Sequence, residues 1–195
     1  MLEKIITLDK QLLVFLNSFG SETFDPFWLV ATKQANWTPF FLVLLVFIYK
    51  KLGTKQTLII VLLVAILLTV NNNLTELVKH YFQRLRPCND LDVKDIIRNV
   101  KPSQTFSFFS GHSSNSAATM TFLYLIMKDY YKHFWLVILF PLTFAYSRIY
   151  LGLHFPIDIL TGFTVGSIMG FLFYKFYQFV QKKYFQKINP FEMGL

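Results

Sequence analysis

The stretch that decides the fold is residues 58–70, LIIVLLVAILLTV, which contains no charged side chain. Long apolar runs also cover residues 40–49, 134–146 and 157–180. A helix on the surface of a soluble protein alternates apolar and polar faces, whereas a helix surrounded by lipid is apolar all round. The runs therefore predict an all-α membrane protein, a bundle of about five transmembrane helices with six as the upper number.

The composition agrees with this fold class and narrows the partners. Hydrophobic residues make up 54% of the 195 residues, and the formal net charge is +8. The basic residues stand at the ends of apolar runs, so they favour membrane lipids with anionic head groups over nucleic acid. The single cysteine, Cys88, cannot form a disulfide within the chain. Nothing in the sequence predicts an obligatory protein partner.

The chain is expected to form one membrane-embedded domain, 1–195. Residues 1–35 have apolar positions largely on one helical side and are expected to lie as amphipathic helices in the membrane interface, ahead of the spanning bundle. A helical core, 36–181, and a basic tail, 182–195, follow. The spanning helices are predicted at 37–50, 56–79, 111–128, 133–150 and 156–181.

The distribution of lysines predicts the orientation. Basic residues occupy two short connections and the end of the last helix, at 50–55, 128–133 and 182–187. The positive-inside rule puts this side in the cytoplasm. We therefore expect a bacterial inner membrane protein whose long loop, 80–110, faces the periplasm.

The triplet Asn71-Asn72-Asn73 interrupts the second apolar run. Amide side chains at membrane depth hydrogen-bond to neighbouring helices, so helix packing is the favoured interpretation and a role in a site is the alternative.

Three polar clusters fall on the predicted periplasmic side, and ionisable groups at such depth indicate a functional site. They are Lys79 with Arg86, then Ser110-Gly111-His112, then Arg148 with His154 and Asp158. Arginine and lysine together suit a doubly charged phosphate, because one offers a planar fork of donors and the other a point charge. Taken alone, Lys79 and Arg86 are better explained as snorkelling side chains or interfacial anchors.

The second and third clusters add reactive groups. Ser110 precedes a predicted helix, where it could cap the helix or bind an oxyanion, and Gly111 permits close approach to the backbone N–H groups. His112 in the first turn could act as a general acid. His154 and Asp158 are four residues apart, a spacing that lets the carboxylate fix the imidazole tautomer and leave the other nitrogen as a nucleophile.

The three clusters together resemble the signature of the type 2 phosphatidic acid phosphatases, a superfamily that also contains the vanadium haloperoxidases. The matching residues are Lys79 and, after six residues, Arg86-Pro87; Ser110-Gly111-His112; and Ser147-Arg148, His154 and Asp158. One position departs from the pattern, since Phe109 stands where the family usually has proline.

The resemblance implies a membrane phosphatase that hydrolyses lipid phosphates or diphosphates without a metal ion or other cofactor. His154 would attack phosphorus to give a phosphohistidine, Asp158 would orient it, and His112 would protonate the leaving group. The phosphate oxygens would be held by Lys79, Arg86, Arg148, Ser110 and the N–H of Gly111. Candidate substrates are undecaprenyl diphosphate, phosphatidylglycerol phosphate, phosphatidic acid and lipid A phosphates.

Two other functions share parts of this pattern. A non-catalytic lipid or anion carrier would use the cations but has no use for the pairing of His154 with Asp158. A vanadium-dependent haloperoxidase would use the whole pocket, although about five spanning helices argue against it.

Overall fold

The computed structural model describes residues 2–185, and the regular structure in this range is entirely helical, as predicted. The α-helices are α1 Leu2–Ser18, α2 Asp25–Ala31, α3 Thr38–Phe82, α4 Gly111–Met127, α5 Leu139–Tyr150 and α6 Pro156–Tyr184. Short 3₁₀ helices lie at Glu22–Phe24, Gln34–Trp37, Pro87–Asn89 and Phe134–Ile138. Most of the predicted basic tail, including Lys187, lies outside the described residues.

Helix α3 consists of two arms that meet at Gly53. This residue has φ 73° and ψ 175°, a conformation that is essentially restricted to glycine. Phe41 and Leu68 line one groove, although a straight helix would separate them by about 40 Å. The chain therefore reverses at Gly53, and the break between the two arms is shorter than the predicted connection at 50–55.

Two helical stretches, Gln34–Asn89 and Pro156–Tyr184, are long and apolar enough to cross a membrane. The number of spanning helices thus stays a prediction. The predicted helix at 133–150 begins as the 3₁₀ helix and becomes α-helical only at Leu139. Pro141 explains this start, because a proline is tolerated in the first turn of an α-helix but breaks its interior.

Helices α4 and α6 pack backbone against backbone. Gly162, Gly166 and Gly170 lie at successive turns of α6, each buried against α4. A Cβ atom on Gly162 would come within 2.6 Å of the carbonyl oxygen of Ser110. Small residues at this spacing allow membrane helices to approach closely, and the contact brings the start of α4 beside the start of α6.

Helix α1 packs on α5, α6 and the long loop through a face that is partly polar. Its buried side chains are Asp9, Leu13 and Asn17, four residues apart, whereas Leu8 and Phe15 are exposed. The apolar side predicted for an interfacial helix is therefore its outer side. The inner side carries the carboxylate of Asp9 and the amide of Asn17, which hydrogen-bond to other parts of the chain.

Candidate active site

His154 lies in the turn between α5 and α6 and is 1% exposed. Its Nε2 is 3.1 Å from Nη1 of Arg86, and its Nδ1 is 3.6 Å from Oδ2 of Asp158. Burial, and then the charges of Arg86, Arg148 and Lys79, hold the pKa of His154 well below its ordinary value. The imidazole is therefore neutral, and Nε2 faces the cations that would hold a phosphate.

Asp158 stands in the first turn of α6 and is fully buried. Its Oδ2 accepts hydrogen bonds from the N–H of Phe155, at 2.9 Å, and from the hydroxyl of Ser107. The Ser107 hydroxyl is also 3.3 Å from Nδ1 of His154. The predicted pairing of histidine and carboxylate is thus present, with Ser107 touching both groups.

The two predicted arginines are buried beside His154 and are anchored differently. Arg86 donates to the Thr105 carbonyl, at 3.0 Å, and to the Leu153 carbonyl, also at 3.0 Å. Arg148 donates from Nη1 to the Thr32 hydroxyl at 2.7 Å. Among residues 2–185, the buried Nε of Arg148 has no hydrogen-bond partner. A buried donor without a partner is costly, so this group is available for an anionic oxygen.

Lys79 is near this cluster and is paired with an acidic side chain. Its Nζ donates to the carboxylate of Glu76 at 2.8 Å, and its charge contributes to the lowered pKa of His154. Lys79 would therefore exchange Glu76 for a phosphate oxygen, or bridge the two.

Ser110 and Gly111 form the N-terminal end of α4. The Ser110 hydroxyl accepts from the N–H and the hydroxyl of Ser113, at 3.4 and 3.0 Å. Of the two predicted roles, the structure shows helix capping. A Cβ on Gly111 would meet the Thr75 side chain at 3.0 Å, so glycine allows α3 to pack here. His112 follows in the first turn, its ring centroid 5.4 Å from that of Phe144.

The asparagines of α3 bind α4, as the helix-packing interpretation predicts. Asn71 donates to the side-chain oxygen of Asn115 at 2.5 Å, and Asn115 donates to Asn72 at 2.7 Å. These bonds lie one turn of α4 away from His112 and fix that helix against α3.

Several site residues carried no recognised signal in the sequence. They are Asp9, Thr32, Arg84, Thr105 and Ser107. Arg84 is two residues before Arg86 and Ser107 is three before Ser110, so proximity to the motifs was the one available hint. Asp9 and Thr32 reach the site through tertiary packing, which local spacing does not encode.

Comparison with known proteins places this chain in a family. The profile described as "PAP2 superfamily" matches residues 56–182. A protein named lipid A 4'-phosphatase from Bacteroides thetaiotaomicron is 30% identical over 178 residues, covering 89% of this chain and 79% of the relative. A second protein of that name, from Porphyromonas gingivalis, is 28% identical and covers 94% of this chain and 78% of the relative.

A solved structure shares the fold. The crystal structure of a transmembrane PAP2-type phosphatidylglycerolphosphate phosphatase from Bacillus subtilis superimposes with a TM-score of 0.70, at 21% identity, over 94% of this chain and 90% of that one. The chain belongs to the PAP2 superfamily. The predicted family and the predicted enzyme class, a phosphatase, are thereby confirmed.

Proposed function

We propose that this chain hydrolyses a lipid phosphate or diphosphate through a phosphohistidine formed on His154. The observation that carries the proposal is the position of the imidazole. Its Nε2 lies 3.1 Å from the Arg86 guanidinium, while its other nitrogen faces Asp158 and Ser107. A neutral imidazole held in this way presents a lone pair where phosphate would bind.

The chemistry follows from these contacts. Nε2 of His154 forms a bond to phosphorus as the bond to the leaving oxygen breaks, and His112 donates a proton to that oxygen. His112 then removes a proton from water, which attacks phosphorus and returns the bonding pair to Nε2. Nδ1 keeps its proton towards Asp158 in both steps. Arg86, Arg148 and Lys79 hold the oxygens, so catalysis relies on positioning and electrostatic stabilisation.

An apolar groove supports a lipid as substrate. A cavity of about 500 Å³ lies between both arms of α3, α4 and α5. Its polar end includes Asn115 and Ser116, next to Phe144, on which the His112 ring packs. From His112 to Leu123, α4 extends about 16 Å along the groove. We propose that the phosphate binds at the polar end and that the lipid tail follows the groove into the membrane.

The names of the relatives rank the candidate substrates. Two relatives that align with most of this chain are named lipid A 4'-phosphatase, so phosphorylated lipid A is the first substrate to test. Undecaprenyl diphosphate, phosphatidylglycerol phosphate and phosphatidic acid complete the panel. The lysines at 50–55 and 128–132 lie at the helix ends remote from His154, which supports a periplasmic site in an inner membrane.

The test is phosphate release by the purified protein in detergent with EDTA present. The wild-type protein should release phosphate from at least one lipid in the panel, and His154→Ala should abolish release while the protein stays folded. Acid-labile phosphate on the wild-type protein, absent from His154→Ala, would identify the intermediate. Release that continues in His154→Ala would refute the mechanism. A folded wild-type protein that binds the lipids but hydrolyses none would favour a carrier.

A further inference from the structure

Arg84 lies between two buried carboxylates, one of which belongs to the proposed catalytic site. Its Nη1 donates to Oδ1 of Asp158 at 2.6 Å, and its Nη2 donates to Oδ2 of Asp9 at 2.6 Å. The guanidinium also lies 4.0 Å from the ring centroid of Phe155, the residue after His154. Asp9 and Asp158 have no exposed carboxylate surface. Arg84 is thus fixed by its two carboxylate partners and by stacking on the ring of Phe155.

Asp9 has a second contact that reaches the same turn. Its Oδ1 accepts a hydrogen bond from the N–H of Ile157 at 2.9 Å. One carboxylate of α1 therefore holds both the arginine bound to Asp158 and the backbone immediately before Asp158. A planar guanidinium that binds two carboxylates at once also fixes the rotation of each.

The rotation of Asp158 matters because its two oxygens have different partners. Oδ1 is bound by Arg84, and Oδ2 faces Ser107 and Nδ1 of His154. When Nε2 forms a bond to phosphorus, the imidazole ring becomes cationic, and a correctly placed carboxylate stabilises that charge. If Arg84 were released, the carboxylate would be held only through Oδ2, by Ser107 and the N–H of Phe155, and its position relative to Nδ1 would be less well fixed.

We propose that Asp9 and Arg84 are positioning residues for the His154 nucleophile, so that helix α1 completes the active site. This inference rests on the proposed function. Asp9 lies outside residues 56–182, the part of the chain matched by the family profile. The N-terminal helix therefore contributes to the chemistry as well as to attachment at the membrane surface.

The first test compares Asp9→Asn with Lys10→Ala in purified full-length protein. Lys10 is the next residue of α1 and ties the helix to the loop through Asp90 and Asp92, at 2.9 and 2.6 Å, without touching Asp158. Misplacing a reacting group costs up to about a hundredfold in rate, so we expect Asp9→Asn to lower kcat at least about tenfold, with KM within about twofold. Lys10→Ala should keep the wild-type kcat.

Inhibition by two anions distinguishes a positioning role of Asp9 from a purely structural one. We expect vanadate, which mimics the phosphoryl transition state, to bond to the His154 nucleophile, and inorganic phosphate to bind through the cations. In Asp9→Asn, the inhibition constant of vanadate should rise about as much as kcat falls, and that of phosphate should be unchanged. Parallel weakening of both inhibitors, or an equal loss of kcat in Lys10→Ala, would overturn the proposal in favour of general loosening of α1.

Arg84→Lys keeps the proposal testable if Asp9→Asn does not fold. A lysine ammonium cannot reproduce the fork that spans both carboxylates, so kcat should again fall with KM retained. In the double variant, the combined loss should be smaller than the product of the single losses, because both changes disrupt one unit. A wild-type protein without any phosphatase activity would refute the proposed function itself. An active wild-type protein with unimpaired Asp9→Asn and Arg84→Lys would refute the positioning role alone.

Discussion

His154 is the residue on which the proposed chemistry depends, and its surroundings favour its neutral form. Burial has the largest effect on its pKa and the charges of the nearby arginines add to it, so that the pKa lies well below the ordinary value. An unfolded chain would bind a proton at this histidine near pH 6.5. The folded protein therefore binds fewer protons at His154 than the unfolded chain does as the pH falls below that value.

Two outcomes follow for His154 as the pH is lowered from 7.5 to 5. In NMR spectra of histidine-labelled protein, the signal that disappears in His154→Gln should show no protonation shift in the wild type across this range. The contribution of His154 to the free energy of unfolding should decrease below about pH 6.5, because the unfolded state takes up the proton. A protonation midpoint near 6.5 for His154 in the folded protein would contradict the neutral nucleophile.

At the scale of residues, the sequence predicted the proposed reacting groups, His154 and Asp158, but not the side chains that hold them in place. His154 and Asp158 are four residues apart, one just before the start of α6 and the other in its first turn, and that proximity is a local property of the chain. Ser107 and Arg84 touch the same carboxylate from a long loop. The path of that loop depends on bonds such as Ser107 N–H to the Arg84 carbonyl, 2.8 Å, which no periodicity encodes.

At the scale of elements, the contact of α4 with α6 sets the distance between the motifs. The N–H of Ser110 donates to the backbone carbonyl of Asp158 at 2.9 Å, so the ends of the two helices are joined directly. A methyl group on Gly166 would overlap the backbone carbonyl of Ser114. Displacing either backbone would cost free energy, because each is part of a continuous helix.

Gly166→Ala should therefore destabilise the protein by about 1–3 kcal/mol, the usual cost of overpacking. It should also lower kcat, since the start of α4 would move away from α6. Thermal unfolding in detergent measures the first effect. Ser167→Ala is the matched control, because Ser167 is the next residue and is exposed. Equal unfolding temperatures for Gly166→Ala and the wild type would show that the helices separate without cost.

The elements themselves were largely predictable, with one informative exception. Apolar runs and the proline at position 156 predicted α6 from residue 156, and α6 begins there. Helix α1 was predicted as an amphipathic helix in the membrane interface, but its polar side chains were given no role in packing against the protein. In a membrane protein the outer face is also apolar, so polar Asp9 and Asn17 mark the inner face instead.

At the scale of the whole molecule, the groove between both arms of α3, α4 and α5 is the proposed path of the lipid tail. Val61 lines this groove far from its polar end, and it is 47% exposed. Its neighbour Leu62 is 61% exposed and lies outside the groove lining. The two positions differ by one residue on the same helix, so a large side chain can be introduced inside or outside the groove with little change to the core.

Val61→Trp should obstruct the deep end of the groove and so discriminate between substrates by tail length. Displacing about two methylene groups, each about 0.8 kcal/mol, should raise KM for a long-tailed lipid phosphate about tenfold. The KM for a short-tailed analogue or a soluble aryl phosphate should not change, because the phosphate site is untouched. Leu62→Trp should behave like the wild type with every substrate. An unchanged KM of Val61→Trp for the long-tailed substrate would mean that the tail lies elsewhere. The groove would then be only a gap in the packing between α3 and α4.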